Sequence, residues 1–213
     1  MLLTLATVAV LGFFAIRLAG AARFTLFGPG RARALAIWRG IGRRHLWPVP
    51  FVLAAVLGAA LVLVRLPVLS FGWWSAIGGV GNPVAGSTEQ TVGTALEWLI
   101  PIVFLLLLLP SLPLFALREE ELFRLGAEGW SWPRRVAKTV AFGLVHVVIG
   151  IPIGVALALS IGGAYFLACY LRGWRATGSD RAAVLESTRA HTAYNAAVVA
   201  LVLAAFAALA AGL

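Results

Sequence analysis

Charge is scarce in this sequence: Asp, Glu, Lys and Arg make up 12% of its 213 residues, whereas apolar residues make up 62%. With so little charge and a strongly positive mean hydropathy, the chain cannot clothe a water-soluble domain, and it reads as a membrane protein. Cysteine occurs once, as Cys169 within an apolar run, which excludes both a disulfide framework and a thiolate metal site and predicts inert packing. The first apolar run lacks the basic segment that precedes a signal peptide's core; its cations follow it instead, which predicts a first helix with its N-terminus outside.

The chain is rich in long apolar runs. Segments of about 20 residues suffice to span a bilayer, and the runs predict helices at about Leu2–Gly20, Pro48–Val64, Thr91–Leu117, Pro133–Gly150, Ile153–Leu171 and Ala190–Leu213. The expected fold is all-α: a single membrane domain over residues 1–213, a polytopic bundle of about six spanning helices. Gly150 and Pro152 divide the apolar stretch Val136–Leu171 into a hairpin. The Gly78–Pro83 stretch reads as a flexible external loop, not a phosphate cradle, because no strand and helix flank it.

The net charge of +9 is concentrated in loops. Three alternate segments, Ala21–Trp47, Arg118–Lys138 and Arg172–Arg189, hold fifteen of the seventeen Lys and Arg residues. The positive-inside rule makes these segments cytoplasmic and predicts a multi-pass protein of the cell membrane with both termini outside. The lipid bilayer is then the first partner, and nucleic acid is not expected. Most of the tryptophans fall near predicted helix ends, where they anchor at headgroup level.

Ionisable residues at helix depth cost about 2.5–3.5 kcal/mol each on insertion scales, so the few that occur call for an explanation. Three short constellations contain nearly all of them. In Glu119-Glu120-Glu121-Leu122-Phe123-Arg124, Glu120 and Arg124 lie one turn apart and can pair, while Glu119 is turned about 100° away and stays free. In Phe142-Gly143-Leu144-Val145-His146, the histidine lies roughly 20 Å along a helix that starts at Pro133. In His191-Thr192-Ala193-Tyr194-Asn195, the four-residue spacing puts imidazole and carboxamide on one helix face. Alone, the first fits a charged helix end at the interface, and the other two fit polar contact between helices. Together, on segments whose topology lets them meet in the cytoplasmic half, they suggest a site. His45, in a basic loop, is assigned no role.

Residue type limits the chemistry. No serine–histidine pairing or reactive cysteine is apparent. A carboxylate with a histidine can deprotonate water, and a second histidine with an asparagine can donate to the oxyanion formed when that water attacks an amide. Glu119, His146 and His191 also match the ligand count of a catalytic zinc site or that of another divalent metal.

The three motifs, Glu-Glu-x-x-x-Arg (Glu119, Glu120, Arg124), Phe-x-x-x-His (Phe142, His146) and His-x-x-x-Asn (His191, Asn195), resemble the signature of the CPBP intramembrane proteases, which include the CAAX prenyl endoprotease and the bacterial Abi proteins. The resemblance spans roughly residues 118–196. It implies an endopeptidase that hydrolyses a membrane-associated peptide or protein near the cytoplasmic surface. Glu119 would be the base that activates water, with His146 assisting; His191 and Asn195 would form the oxyanion hole; Glu120, Arg124 and Phe142 would support the site. Such chemistry has been drawn both as metalloprotease and as metal-free glutamate catalysis. Family members often carry glycine directly after the arginine, whereas here Leu125 intervenes before Gly126. The alternatives are a catalytically silent membrane binding or immunity protein and a small proton-coupled transporter. No internal inverted repeat supports the transporter.

Overall fold

A computed structural model describes residues 2–210, in which every regular element is helical. The helices are α1 (Leu2–Leu26), α2 (Arg31–Arg39), α3 (Arg43–Leu46), α4 (Val49–Leu63), α5 (Trp73–Ala76), α6 (Leu96–Arg124), α7 (Trp132–Leu144), α8 (Ile153–Thr177) and α9 (Asp180–Ala210). Single 3-10 stretches follow α6 and α7, at Ala127–Gly129 and Val145–Ile149. The expected all-α membrane bundle is the fold.

Five segments are long and apolar enough to cross a membrane: α1, the α3–α4 segment, α6 with its 3-10 extension, α8 and α9. The stretch expected as the fourth span, Pro133–Gly150, is shorter in regular helix, with 13 α-helical residues followed by five of 3-10 helix. A 3-10 helix rises about 2.0 Å per residue against 1.5 Å for an α-helix, so the composite still reaches about 30 Å. It traverses the bundle, since Arg135 at its start donates to the Ala127 carbonyl below α6 (2.9 Å) and its far end meets the loop between α4 and α6. There Asn82 Nδ2 donates to the Ile149 carbonyl (3.2 Å) and Trp73 Nε1 to that of Val148 (3.2 Å).

Other boundaries also differ from the periodicity: α6 covers Leu96–Arg124 in place of the expected Thr91–Leu117, and α8 runs on to Thr177. The first helix runs on to Leu26, and α9 begins at Asp180, ten residues before the expected Ala190. The polar residues Arg172–Arg189 therefore lie mostly on helix, with the turn confined to Gly178 and Ser179. Hydropathy marks where a helix leaves hydrocarbon, whereas backbone hydrogen bonds carry it onward into the polar zone. The last three residues of the expected helix Ala190–Leu213 lie outside the described residues. The Gly78–Pro83 loop is tied down as well: Asn82 Oδ1 accepts from the backbone N–H groups of Val84 (2.8 Å) and Ala85 (3.1 Å).

α8 is the most enclosed of the five long helices and α1 the least. Small residues explain the position of α8, because Gly154, Ala156, Ala158, Gly162 and Gly163 let neighbouring backbones approach closely. A Cβ on Gly143 of α7 would strike the Ala156 carbonyl and Ser160. The buried core joins α4, α6, α7, α8 and α9 through Leu53, Phe123, Phe142, Phe166 and Tyr194. By contrast α1 exposes Leu2, Leu5, Val8, Phe13 and Ile16, an outer face suited to lipid. Trp74 is buried under its loop, unlike the headgroup-level anchor expected of the tryptophans.

Candidate functional site

The third long helix brings the first constellation to the basic end of the bundle. α6 continues through Pro101, Pro110 and Pro113 to Arg124. It ends because Leu125 leaves helical geometry and Gly126 takes φ +84°, a conformation that glycine adopts at no steric cost. The Gly126 N–H donates to the Tyr170 hydroxyl (3.0 Å), which donates to Glu128 (2.8 Å).

Glu120 lies on the inner face of α6 with no exposed surface, and Arg124, one turn on, is 1% exposed. Arg124 Nη1 lies 3.2 Å from Glu120 Oε1. A buried carboxylate needs its lone pairs met as well as its charge. Glu120 satisfies this requirement by accepting from Ser187 Oγ through Oε2 and from His191 Nδ1 through Oε1 (2.9 Å). Arg124 donates to the Gly163 carbonyl (3.3 Å) and stacks its guanidinium 4.0 Å above the Phe142 ring, a cation–π contact strengthened by desolvation.

This network orients His191. A carboxylate can only accept, so its bond to Nδ1 assigns the proton there and turns Nε2 the other way. Nε2 lies 3.6 Å from Glu119 Oε2. The ring is 2% exposed, stacked on Phe166 at 4.2 Å and 20°, and met edge-on by Phe142 at 5.4 Å. Glu119 is about one-third exposed, and its Oε2 is buried without a hydrogen-bond partner. The two glutamates thus divide as the helix geometry requires. One is locked in the network and the other is free at its edge.

Asn195 lies one turn beyond His191 on α9, half-buried, and its carboxamide forms no hydrogen bond among the described residues. His146 occupies the 3-10 stretch after α7. Its Nδ1 faces the Phe142 carbonyl (2.9 Å), which again assigns the proton to Nδ1 and leaves Nε2 as the open nitrogen. Its ring meets Phe142 edge-on at 5.2 Å, and no hydrogen bond joins it to Glu119 or His191. The structure therefore brings Glu119, Glu120, Arg124, Phe142 and His191 together. His146 touches the Phe142 ring without bonding to Glu119 or His191, and Asn195 lies a turn away along α9.

For a three-ligand metal site, Glu119, His146 and His191 would have to converge. Among the described residues no three His, Cys, Asp or Glu side chains are grouped to hold an ion, although the bond from His191 Nδ1 to Glu120 leaves Nε2 available as a ligand atom. The side chains as they stand do not fit a three-ligand metal centre.

Sequence reasoning missed Ser187 and Phe166. Ser187 lies four residues before His191, hence on the same helix face, and that spacing was the available signal. Phe166 had none, since its stacking depends on how α8 and α9 pack. His45, read as an inert loop residue, is fully buried with Nε2 3.2 Å from Glu186, which also pairs with Arg44 (2.9 Å) and Arg172 (3.0 Å). This second ionic cluster clasps α3 to α8 and α9 at the basic end. Cys169 is buried and free, as expected.

No family model matches the chain, and neither a curated protein nor a solved structure matches it.

Proposed function

We propose that this chain is an intramembrane endopeptidase of the CPBP/CAAX-protease type, hydrolysing a peptide bond with a glutamate-activated water. The observation that carries the reading is the free carboxylate of Glu119 beside His191 Nε2, with His191 held from behind by the buried Glu120, Arg124 and Ser187. A carboxylate left free next to an oriented imidazole, at the end of a membrane helix, is costly to maintain for stability alone.

In this reaction water sits between Glu119 and the scissile carbonyl. Glu119 Oε2 takes one proton as the water oxygen bonds to the carbonyl carbon. Negative charge then develops on the former carbonyl oxygen. With Nδ1–H held by Glu120, His191 acts here as the imidazolium: its Nε2–H donates to that oxyanion and is kept throughout, with the Asn195 carboxamide as the second donor. As the C–N bond breaks, the proton held by Glu119 passes to the departing amine. Glu120 acts on His191 as a carboxylate acts in a Ser-His-Asp triad, fixing tautomer and ring orientation. The geometry favours His191 over His146 as the neighbour of Glu119. His146, which touches the Phe142 ring and keeps Nε2 open, is assigned to contact the substrate.

The basic end is assigned to the cytoplasm by its arginines. Both termini then face outside, and hydrolysis takes place near the inner membrane surface. The substrate is a membrane-associated peptide or protein.

The test is to incubate the purified protein in vesicles with a library of membrane peptides and to detect new termini by mass spectrometry. Cleavage should vanish in Glu119→Gln and His191→Ala. Cleavage that survives both substitutions, or that is absent from the unsubstituted protein, overturns the assignment.

A further inference from the structure

The 3-10 stretch Val145–Ile149, which carries His146, is held by a part of the chain that the reaction as drawn does not use. A 3-10 helix pairs each N–H with the carbonyl three residues back, and its bonds are poorer than those of an α-helix, so a run of five such residues needs outside support. That support comes from the loop between α4 and α6. The stretch closes at Gly150, at φ +85°, whose N–H donates to the Val147 carbonyl (2.9 Å). The next two carbonyls, of Val148 and Ile149, find no donor in their own helix, and Pro152 has no N–H to offer Ile149. Trp73 Nε1 and Asn82 Nδ2 supply the missing donors, each at 3.2 Å.

Both donors are themselves fixed. Asn82 Oδ1 accepts from Val84 (2.8 Å) and Ala85 (3.1 Å), and the Asn82 N–H donates to Ser87 Oγ (3.0 Å). Trp73 stands edge-on to the buried Trp74 at 5.5 Å, and Trp74 Nε1 donates to the Val80 carbonyl (3.3 Å). Across the turn, the Phe71 and Leu69 carbonyls accept from the first N–H groups of α8, those of Ile153 (3.0 Å) and Gly154 (2.7 Å). The loop thus grips the chain on both sides of Gly150. A Cβ at Gly150 would sit 2.9 Å from Asn82 Nδ2, so only glycine permits the approach.

Helix winding decides where the His146 ring points. In a continued α-helix the Phe142 carbonyl would take the backbone N–H of His146; where 3-10 pairing begins that carbonyl is spare, and the ring Nδ1 takes it at 2.9 Å. Rewinding Val145–Ile149 as α-helix would turn His146 by about 40° around the axis and draw the Ile149 carbonyl back by about 2.5 Å, out of reach of Asn82. The two loop donors and α winding therefore compete. We infer that Trp73 and Asn82 are positioning residues for His146: by capping Val148 and Ile149 they keep the stretch in 3-10 winding and so aim the open Nε2. The inference rests on the protease reading, in which His146 contacts the substrate, and adds two residues at the far end of the bundle to what the reaction needs.

Two substitutions remove the caps with little else. Asn82→Asp keeps the acceptor used by Val84 and Ala85 and loses the donor to Ile149; Trp73→Phe loses the indole N–H and keeps a ring against Trp74. The full chain is prepared with its three histidines labelled at both ring nitrogens and reconstituted in vesicles of phosphatidylcholine and phosphatidylglycerol. Ring-nitrogen spectra are recorded above the histidine titration range, and the His146 signals are identified by their loss in His146→Gln. In the unsubstituted protein His146 should carry its proton on Nδ1. In the double variant it should become a mixture of the two neutral tautomers, the His45 and His191 signals should stay unchanged, and cleavage should fall on the order of 10- to 100-fold. Unchanged His146 signals in the double variant overturn the inference and leave the protease reading standing. Changes in all three histidines, the mark of general loosening, overturn it too, as do altered His146 signals with undiminished cleavage. Should the double variant not fold, Trp73→Phe alone gives the same readings at smaller amplitude. Absence of cleavage by the unsubstituted protein sinks the protease reading, and the spectra then decide by themselves whether the loop positions His146.

Discussion

Glu120→Gln tests whether the buried network is the device that holds His191. The substitution keeps the shape of the side chain and removes its charge, leaving Arg124 at 1% exposure without its partner. Breaking a buried ion pair by removing one member costs about 3–5 kcal/mol. Arg124 keeps two other interactions, the Gly163 carbonyl at 3.3 Å and the Phe142 face at 4.0 Å, which places the expected loss at the lower end, about 3 kcal/mol. For a chain of this length, 1 kcal/mol moves Tm by about 2–4 °C, so thermal unfolding in detergent should shift down by about 6–12 °C. Replacing both residues, Glu120→Leu with Arg124→Leu, removes both buried charges and should recover most of the loss, while cleavage stays abolished because His191 has lost its orienting partner. A shift below about 2 °C in Glu120→Gln, or a double variant less stable than the single one, would refute the claim that charge compensation dominates here.

Three further outcomes follow from the same structure. In Gly163→Ala the new Cβ would sit 2.8 Å from Phe142 Cδ1 and 3.2 Å from Arg124 Nη2. Overpacking of about 1–3 kcal/mol should lower Tm and weaken cleavage together, and a neutral result would show that α7 and α8 can separate freely. Glu186→Ala unpartners buried His45 and two arginines and should measurably lower Tm. Arg118→Ala should leave it unchanged, since Arg118 pairs with Glu121 from a largely exposed position; the two unfolding curves compared side by side decide this. Cleavage should persist after treatment with chelator, with no stoichiometric metal by elemental analysis, because Glu119, His146 and His191 do not converge; activity lost to chelator and restored by one divalent ion would reverse that conclusion.

Much of the bundle was legible because hydropathy and helical spacing are local. The 20-residue runs located the helices, and the arginine-rich segments marked one end of the bundle, where Arg33, Arg44, Arg118 and Arg172 do gather around Glu121 and Glu186. The i, i+4 relation forecast the Glu120–Arg124 pair and left Glu119 free. Helix ends were misjudged by up to ten residues at α9, since amphipathic turns continue past the hydrocarbon boundary and hydropathy does not register them.

What the sequence by itself determined was the class of protein, the set of polar residues placed at depth and the division of labour between adjacent glutamates, all of which depend on spacing along one helix. Only the tertiary structure decided that His191, not His146, stands beside Glu119, that Ser187 and Phe166 hold it there, and that His45 belongs to a second cluster. Those outcomes depend on the rotation and depth of α7, α8 and α9 against α6. Small residues such as Gly143 and Gly163 set these through close backbone approach, and no periodicity within a single segment encodes the contacts they permit.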